Sequence, residues 1–291
     1  MKASIECYPC LLSQILRTTE LCGLDSRDRK KVMNYTLNTM AHLPSDIYPH
    51  EIVVAVNEHI KATYCSKDDI FDPYADLKQQ TREIAQQFYA SIEQKIAQAP
   101  DPLEMAIKCA ALGNIIDFGA KSHGDLDVKG ELEKIDSLGF AVYDYEPFLV
   151  SLENAGLILY LGDNVGEDIF DKVFITEIKK QYPDKRIIFA VREQPVINDV
   201  TLADARAIGM HQLVETISSG SIYPGTILDK TTETFQELFR TADLVISKGQ
   251  GNFETLCNEE HPALFFFLRA KCEKVAKYLD VGLKSMILKK L

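Results

Sequence analysis

Nothing in the sequence approaches the ~18 uninterrupted apolar residues that a membrane-spanning helix needs. The opening residues, Met1-Lys2-Ala3-Ser4-Ile5-Glu6-Cys7, have no apolar core of the kind a secretory signal carries, because Glu6 and Cys7 arrive too early. A cytoplasmic address is the expectation. Basic residues are in deficit: 32 Lys and Arg stand against 43 Asp and Glu, a formal charge of −11. That balance disfavours broad binding to nucleic acid or to anionic membranes, so neither is expected as a partner. It leaves a small phosphorylated metabolite open, since one bound cation reverses the field inside a pocket. A disulfide framework is also not expected, because the seven cysteines are odd in number and scattered from Cys7 to Cys272. No GxGxxG and no closed Walker A motif occur, and no internal repeat or low-complexity tract is visible.

What is present divides the chain in two. Apolar residues recur at helical spacing in Tyr8–Leu21, from Ser26 to about Met40, after Pro49, from Asp72-Pro73-Tyr74 through Ile92, and after Asp101-Pro102. These predict about five helices and no strand before residue 120. Short apolar runs then alternate with helix-period segments. The runs are Leu157–Leu161, Ile187–Val191, Leu244–Ile246, Leu264–Phe267 and Met286–Leu288, and this alternation predicts a largely parallel sheet covered on both faces. The polar stretch from Gly119 to Gly130 suits a connector, which gives an all-helical domain over 1–125 and an α/β domain over 126–291.

In such sheets ligands bind beyond the carboxyl ends of the strands. Three loops qualify. Gly162-Asp163-Asn164-Val165-Gly166-Glu167 offers a carboxylate and an amide before a helix, oxygen ligands that suit a hard cation such as Mg²⁺. Asp199 can complete a metal site with them if the strands are neighbours. Helix capping is the plainer use of Asp163, Asn164 and Asp199, and Asp204 suits a first-turn acid. Ser247-Lys248-Gly249-Gln250-Gly251-Asn252 resembles a phosphate cradle, with Gly249 and Gly251 permitting close approach and Lys248 supplying charge. In the helical part, Asn114 and Asp117 share a face if helical, although Gly119 also suits a helix end. Cys7-Tyr8-Pro9-Cys10 is a lone CxxC, and a helix start explains it better than zinc or redox chemistry.

These motifs, in this order, resemble the damage-control phosphatases, in the branch that carries an N-terminal CxxC. Cys7–Cys10, Asp72-Pro73-Tyr74, Gly113–Gly119, Gly162–Glu167, Asn198-Asp199-Val200-Thr201 and Ser247–Asn252 carry the likeness. The resemblance implies a Rossmann-like α/β domain beside a helical one. It implies one divalent ion (Mn²⁺, Ni²⁺, Co²⁺ or Mg²⁺) on Asp163, Asn164 and Asp199. It also implies a phosphate contact from Lys248, and polar positions at Asn114 and Asp117 that reach the same cleft. Glu167, Gly249, Gly251 and Asn252 complete the substrate-binding candidates. The substrates implied are sugar phosphates, phosphopantetheine-like compounds and damaged phosphometabolites. Arg82 departs from the family, where asparagine is expected. An S-adenosylmethionine-dependent carboxyl methyltransferase and a non-catalytic phosphometabolite-binding module are the alternatives. The former lacks its Gly-rich turn after the first apolar run.

Overall fold

A computed structural model describes residues 1–44, 46–66, 70–115, 130, 132 and 134–291, with backbone alone at 114, 115 and 136. Helices α1 (Tyr8–Leu21), α2 (Ser26–Ala41) and α3 (Pro49–Tyr64) come first. Cys7 precedes α1 and Pro9 sits in its first turn, a position where proline costs no hydrogen bond. Asp25 caps α2 by accepting from the amides of Arg27 and Asp28. Leu11 and Ile15 of α1, Val32 and Met40 of α2, and Ile52, Val56 and Ile60 of α3 bury one another in a core of their own.

The segment expected to form one helix from Asp72 to Ile92 forms two, α4 (Ala75–Gln86) and α5 (Tyr89–Gln98). At the junction Gln87 and Phe88 donate three residues back, to Ile84 and Ala85, which tightens and ends the helix. The break carries Phe88 and Tyr89 against the main core. Helix α6 (Pro102–Ile115) follows, and its Leu103, Ile107, Ala110 and Leu112 join that same core.

Seven strands make one sheet: β1 (Phe140–Tyr143), β2 (Leu157–Leu161), β3 (Arg186–Val191), β4 (Glu215–Ser218), β5 (Leu244–Lys248), β6 (Leu264–Arg269) and β7 (Met286–Lys290). Their order is β1-β7-β6-β5-β2-β3-β4. Neighbours are parallel except β6 and β7, so β1 and β7 run against the other five. Along β2, Ile158 and Tyr160 enter one core while Leu159 and Leu161 enter the core on the opposite face. Burial on both faces is why this strand reads as an unbroken apolar run. Helices α7 (Tyr145–Asn154), α8 (Glu167–Gln181), α9 (Leu202–Ala207), α10 (Met210–Leu213), α11 (Glu233–Thr241), α12 (Gly249–Leu256) and α13 (Glu273–Leu279) connect the strands. Among the described residues no helix is long and apolar enough to cross a membrane.

The chain runs from β2 to β3 on one side and reaches β5 on the other. The topological switch point therefore lies between β2 and β5, the position where doubly wound sheets open a crevice.

Candidate metal and phosphate site

The turn after β2 and the loop after β3 are zipped together above the sheet. Asn164 and Asp199 form an antiparallel bridge. The Val165 amide donates to the Asn198 carbonyl and the Val200 amide to the Asp163 carbonyl, both at 2.9 Å. Asp163, Asn164 and Asp199 are thus brought together, and neither acid is a helix cap. Gly166, with φ 96°, stands at the N-cap of α8, and Thr201 caps α9 in a reciprocal box with Asp204. Asp204 also meets Arg82 at 2.6 Å and Lys78 at 3.4 Å, so Arg82 ties the helical part to α9.

The carboxylates are crowded. Asp163 and Asp199 are 8% and 3% exposed. Burial, then the charges of Glu167 and Asp199, hold the Asp163 carboxyl well above the usual range. Burial also raises Asp199 against the pull of Arg192, and raises Glu167 against Lys271 and Lys248. The Asn164 amide nitrogen donates to Asp163 Oδ2 and Glu167 Oε1, each at 2.8 Å. Glu167 Oε2 is buried without a hydrogen-bond partner. One residue further, Asp168 is pushed up to about 8 by burial.

Arg192, just past the end of β3, donates from Nε to Asp199 Oδ2 at 2.8 Å and from its remaining nitrogens to Thr226 Oγ1 and Asn252 Oδ1. Asn252 Oδ1 also accepts from Thr226, while its Nδ2 donates to the carbonyls of Lys248 and Gly162. Every donor and acceptor of this fully buried amide is engaged by the protein. Asn252 therefore braces the turn, and the expected ligand contact from it has no free atom to rest on.

The expected Gly-rich loop is a strand end running straight into a helix. Strand β5 continues to Lys248, and α12 begins at Gly249 with φ 80°. The two glycines are required by the protein itself. A Cβ on Gly249 would stand 1.8 Å from Asp163 Oδ2, and one on Gly251 would stand 2.4 Å from the Pro224 carbonyl oxygen. Helix α12 thus presents its first-turn amides, which lack intrahelical acceptors, directly against the carboxylate cluster.

Lys248 is fully buried and donates to Asp171 Oδ1 and, at 3.0 Å, to the Ala110 carbonyl of α6. Tyr160 donates to the same Asp171 oxygen at 2.7 Å. The ammonium expected to meet phosphate is committed to the protein in this structure, because its burial requires a counter-charge. The sequence pattern does not single out Lys271, which follows β6, is exposed, and lowers the pKa of Asp163, Glu167 and Asp199 alike. Its amide donates to Gln250 Oε1 at 2.7 Å, which ties it to α12. Its place just past a strand is the one signal that could have found it. Asn114 lies in the last turn of α6, where a Cβ on neighbouring Gly113 would be 3.3 Å from the Glu167 Cα, and Asp117 lies outside the described residues.

Among the described residues no three His, Cys, Asp and Glu side chains stand ready to hold a metal. The donor set here is two carboxylates and an amide, and its chemistry fits a hard divalent ion. The two acids are buried and near each other. Burial raises both, and at Asp163 the neighbouring acids add a repulsion that a cation removes. The Asn164 amide must present oxygen to serve, whereas it now offers nitrogen to both neighbours.

The chain is similar over its full length to known proteins. The damage-control phosphatase PH1575 of Pyrococcus horikoshii is 32% identical, with 99% of this chain and 97% of that protein covered. A damage-control phosphatase of Archaeoglobus fulgidus is 27% identical, with 99% of each chain covered. The crystal structure of a DUF89 family protein from Pyrococcus horikoshii superposes with a TM-score of 0.88 at 29% identity, covering 100% of this chain and 99% of that one. With the model of the damage-control phosphatase ARMT1-like domain matched over residues 3–287, the chain belongs to that family.

Proposed function

We propose that the protein is a metal-dependent phosphatase that hydrolyses phosphomonoesters of small metabolites. The observation that carries this reading is the contact, across the β2–β5 switch point, between the Asp163–Asn164–Asp199 donor set and the start of α12. Carboxylates repel an anion and a helix N-terminus attracts one. A site that packs the two together suits a cation and a phosphate side by side. The named activity of the relatives from Pyrococcus horikoshii and Archaeoglobus fulgidus supports the same chemistry.

Asp163, Asn164 and Asp199 would hold the ion, with Mn²⁺, Ni²⁺, Co²⁺ and Mg²⁺ as candidates. When bound, a divalent ion supplies Lewis-acid polarisation of a phosphoryl oxygen. Arg192 fixes the Asp199 carboxylate by its 2.8 Å hydrogen bond, so the carboxylate is oriented before any ligand arrives. The first amides of α12 receive non-bridging phosphate oxygens, and Lys271 adds positive charge from the solvent side. Glu167 Oε2 is a buried, unpartnered acceptor beside the turn. Lys248, held beneath by Asp171, offsets carboxylate charge without leaving its pocket.

The test is the double variant Asp163→Ala/Asp199→Ala, assayed on p-nitrophenyl phosphate with added Mn²⁺. The expected loss is at least about 10³-fold in kcat/KM. A purified, folded double variant that works at the parent rate overturns the assignment.

A further inference from the structure

Three thiols gather where the start of α1 meets the start of α13. Cys7 is the N-cap of α1 and Cys10 its third residue, so the CxxC spans one helical turn. Cys272 is the N-cap of α13, in extended backbone with φ −135° and ψ 156°. The residues ahead of α1 hold the two helices together. Lys274 of α13 donates to the Lys2 carbonyl and, at 3.1 Å, to Ser4 Oγ, which lies 3.7 Å from Cys7 Sγ. Cys10 is exposed, and Cys7 and Cys272 are half-buried. After desolvation, the charges of Glu254, then Cys272, then Cys7 raise the Cys10 thiol, so Cys272 acts on it more strongly than its CxxC partner does.

Cys272 is also wired to the proposed phosphate site, because it follows Lys271 directly. Gln250, in the first turn of α12, joins the parts. Its Oε1 accepts from the Lys271 amide at 2.7 Å. Its Nε2 donates to Glu254 Oε1 at 2.7 Å and lies 3.5 Å from Cys272 Sγ. The other Glu254 oxygen lies 3.5 Å from Nε2 of His50, in the first turn of α3. A change at the Cys272 sulfur therefore reaches Gln250, and through it Lys271 and the start of α12.

The chemistry of the pair favours a slow bond over rapid turnover. Desolvation raises both Cys10 and Cys272, so the attacking thiolate is scarce at neutral pH. The same shift makes each sulfur a poor leaving group, so a bond once formed is slow to open. The competing bond, Cys7 to Cys10, must draw together Cβ atoms that a helical turn holds about 5–6 Å apart, against about 3.5–4.5 Å in a disulfide. Cys272 stands outside a helix and is freer to adjust.

We propose that Cys10 and Cys272 form a redox latch: a low-molecular-weight disulfide joins them, tying α1 to the Lys271 loop and lowering hydrolysis at the neighbouring phosphate site. The Cys10 thiolate attacks one sulfur of the small disulfide, forming a mixed disulfide and releasing one small thiolate. The Cys272 thiolate then attacks the Cys10 sulfur, forming the Cys10–Cys272 bond and expelling the second. The protein gives up two electrons and two protons, and the small disulfide becomes two thiols. The effect on hydrolysis rests on the hydrolase reading; the bond does not.

The test treats the full chain with oxidised glutathione, maps its disulfides by mass spectrometry, and assays p-nitrophenyl phosphate with saturating Mn²⁺. A linked Cys10–Cys272 peptide is expected, with kcat/KM lowered about tenfold and restored by dithiothreitol. Serine is a favoured N-cap, so Cys272→Ser and Cys7→Ser both keep their helix starts. Cys272→Ser and Cys10→Ser keep the parent kcat/KM and lose the response to glutathione, whereas Cys7→Ser retains it. A Cys7–Cys10 link alone, mixed disulfides alone, a link without change in kcat/KM, or an unaltered response in Cys272→Ser overturns the latch. If the reduced parent does not hydrolyse the ester, the hydrolase reading fails separately. Calorimetric titration with inorganic phosphate then decides: binding weakened about tenfold by oxidation supports the latch, and binding absent or unaltered overturns it.

Discussion

Lys248 and Lys271 belong to the neighbouring parallel strands β5 and β6, one at a strand's last residue and one just past it, and both act on the Glu167 carboxylate. Lys248 is shut inside the protein, its ammonium shared between Asp171 and a carbonyl of α6. Lys271 stays in contact with solvent and acts on Asp163, Glu167 and Asp199 through its field. Burial makes the difference. A cation withdrawn from water must be paired by the protein, which removes it from ligand binding.

The largest effect that would break this comparison is in stability. Lys248→Met leaves Asp171 buried without its counter-charge and is expected to cost about 3–5 kcal/mol in urea unfolding. Adding Asp171→Leu should return part of that loss, since no charge is then left unpaired, although the buried Tyr160 hydroxyl loses its acceptor. A Lys248→Met variant as stable as the parent would show that the pair is not what holds α6 to the strand end.

The activity effect belongs to the other lysine. Lys271→Ala should cost at most about 1 kcal/mol of stability, the ceiling for an exposed charged group. It should lower kcat/KM about 10- to 100-fold through loss of phosphate stabilisation. Mn²⁺ affinity should hold or tighten slightly, because a repelling charge has left the neighbourhood of the carboxylates. Unchanged kcat/KM, or weakened Mn²⁺ binding, would place the phosphate-facing cation elsewhere.

What is legible in the sequence follows the same division between local and tertiary causes. Strands β2, β3, β5 and β6 announce themselves because burial on both faces makes them unbroken apolar runs. Strands β1 and β4 do not: β1 reads Phe140-Ala141-Val142-Tyr143, with no residue fully buried, and β4 reads Glu215-Thr216-Ile217-Ser218, with a single aliphatic residue. Both lie at the sheet's edges, where one apolar face suffices and no continuous run is needed. Asp163 and Asp199 are readable as acids placed just past strands. Their separation from helix capping becomes visible only with Gly166 and Thr201 in the cap positions. The roles of Asn252, Gly251 and Lys248 depend on Arg192, Pro224 and Asp171, partners distant in the chain that no local pattern announces.

His50 sharpens the comparison with a third way of living in the interior, which is to stay neutral. Burial, then the charges of Arg192 and the N-terminus, pull its pKa from 6.5 down to about 3. As pH falls below about 6.5 the unfolded chain takes up a proton there and the folded chain does not, so the stability contributed by neutral His50 is lost from that point downward. Between about pH 7.5 and about pH 5.5 the loss is about 1 kcal/mol. The buried acids work the other way: groups such as Asp168, raised to about 8, favour the folded state at low pH and weaken it as pH rises. The net slope of the parent therefore mixes both signs, and the informative quantity is the difference between parent and His50→Gln. In urea unfolding at the two pH values, the variant should lose about 1 kcal/mol less than the parent on acidification. Equal losses would mean that His50 takes up its proton in the folded state as readily as in the unfolded one, and that the start of α3 tolerates a charge beside Glu254.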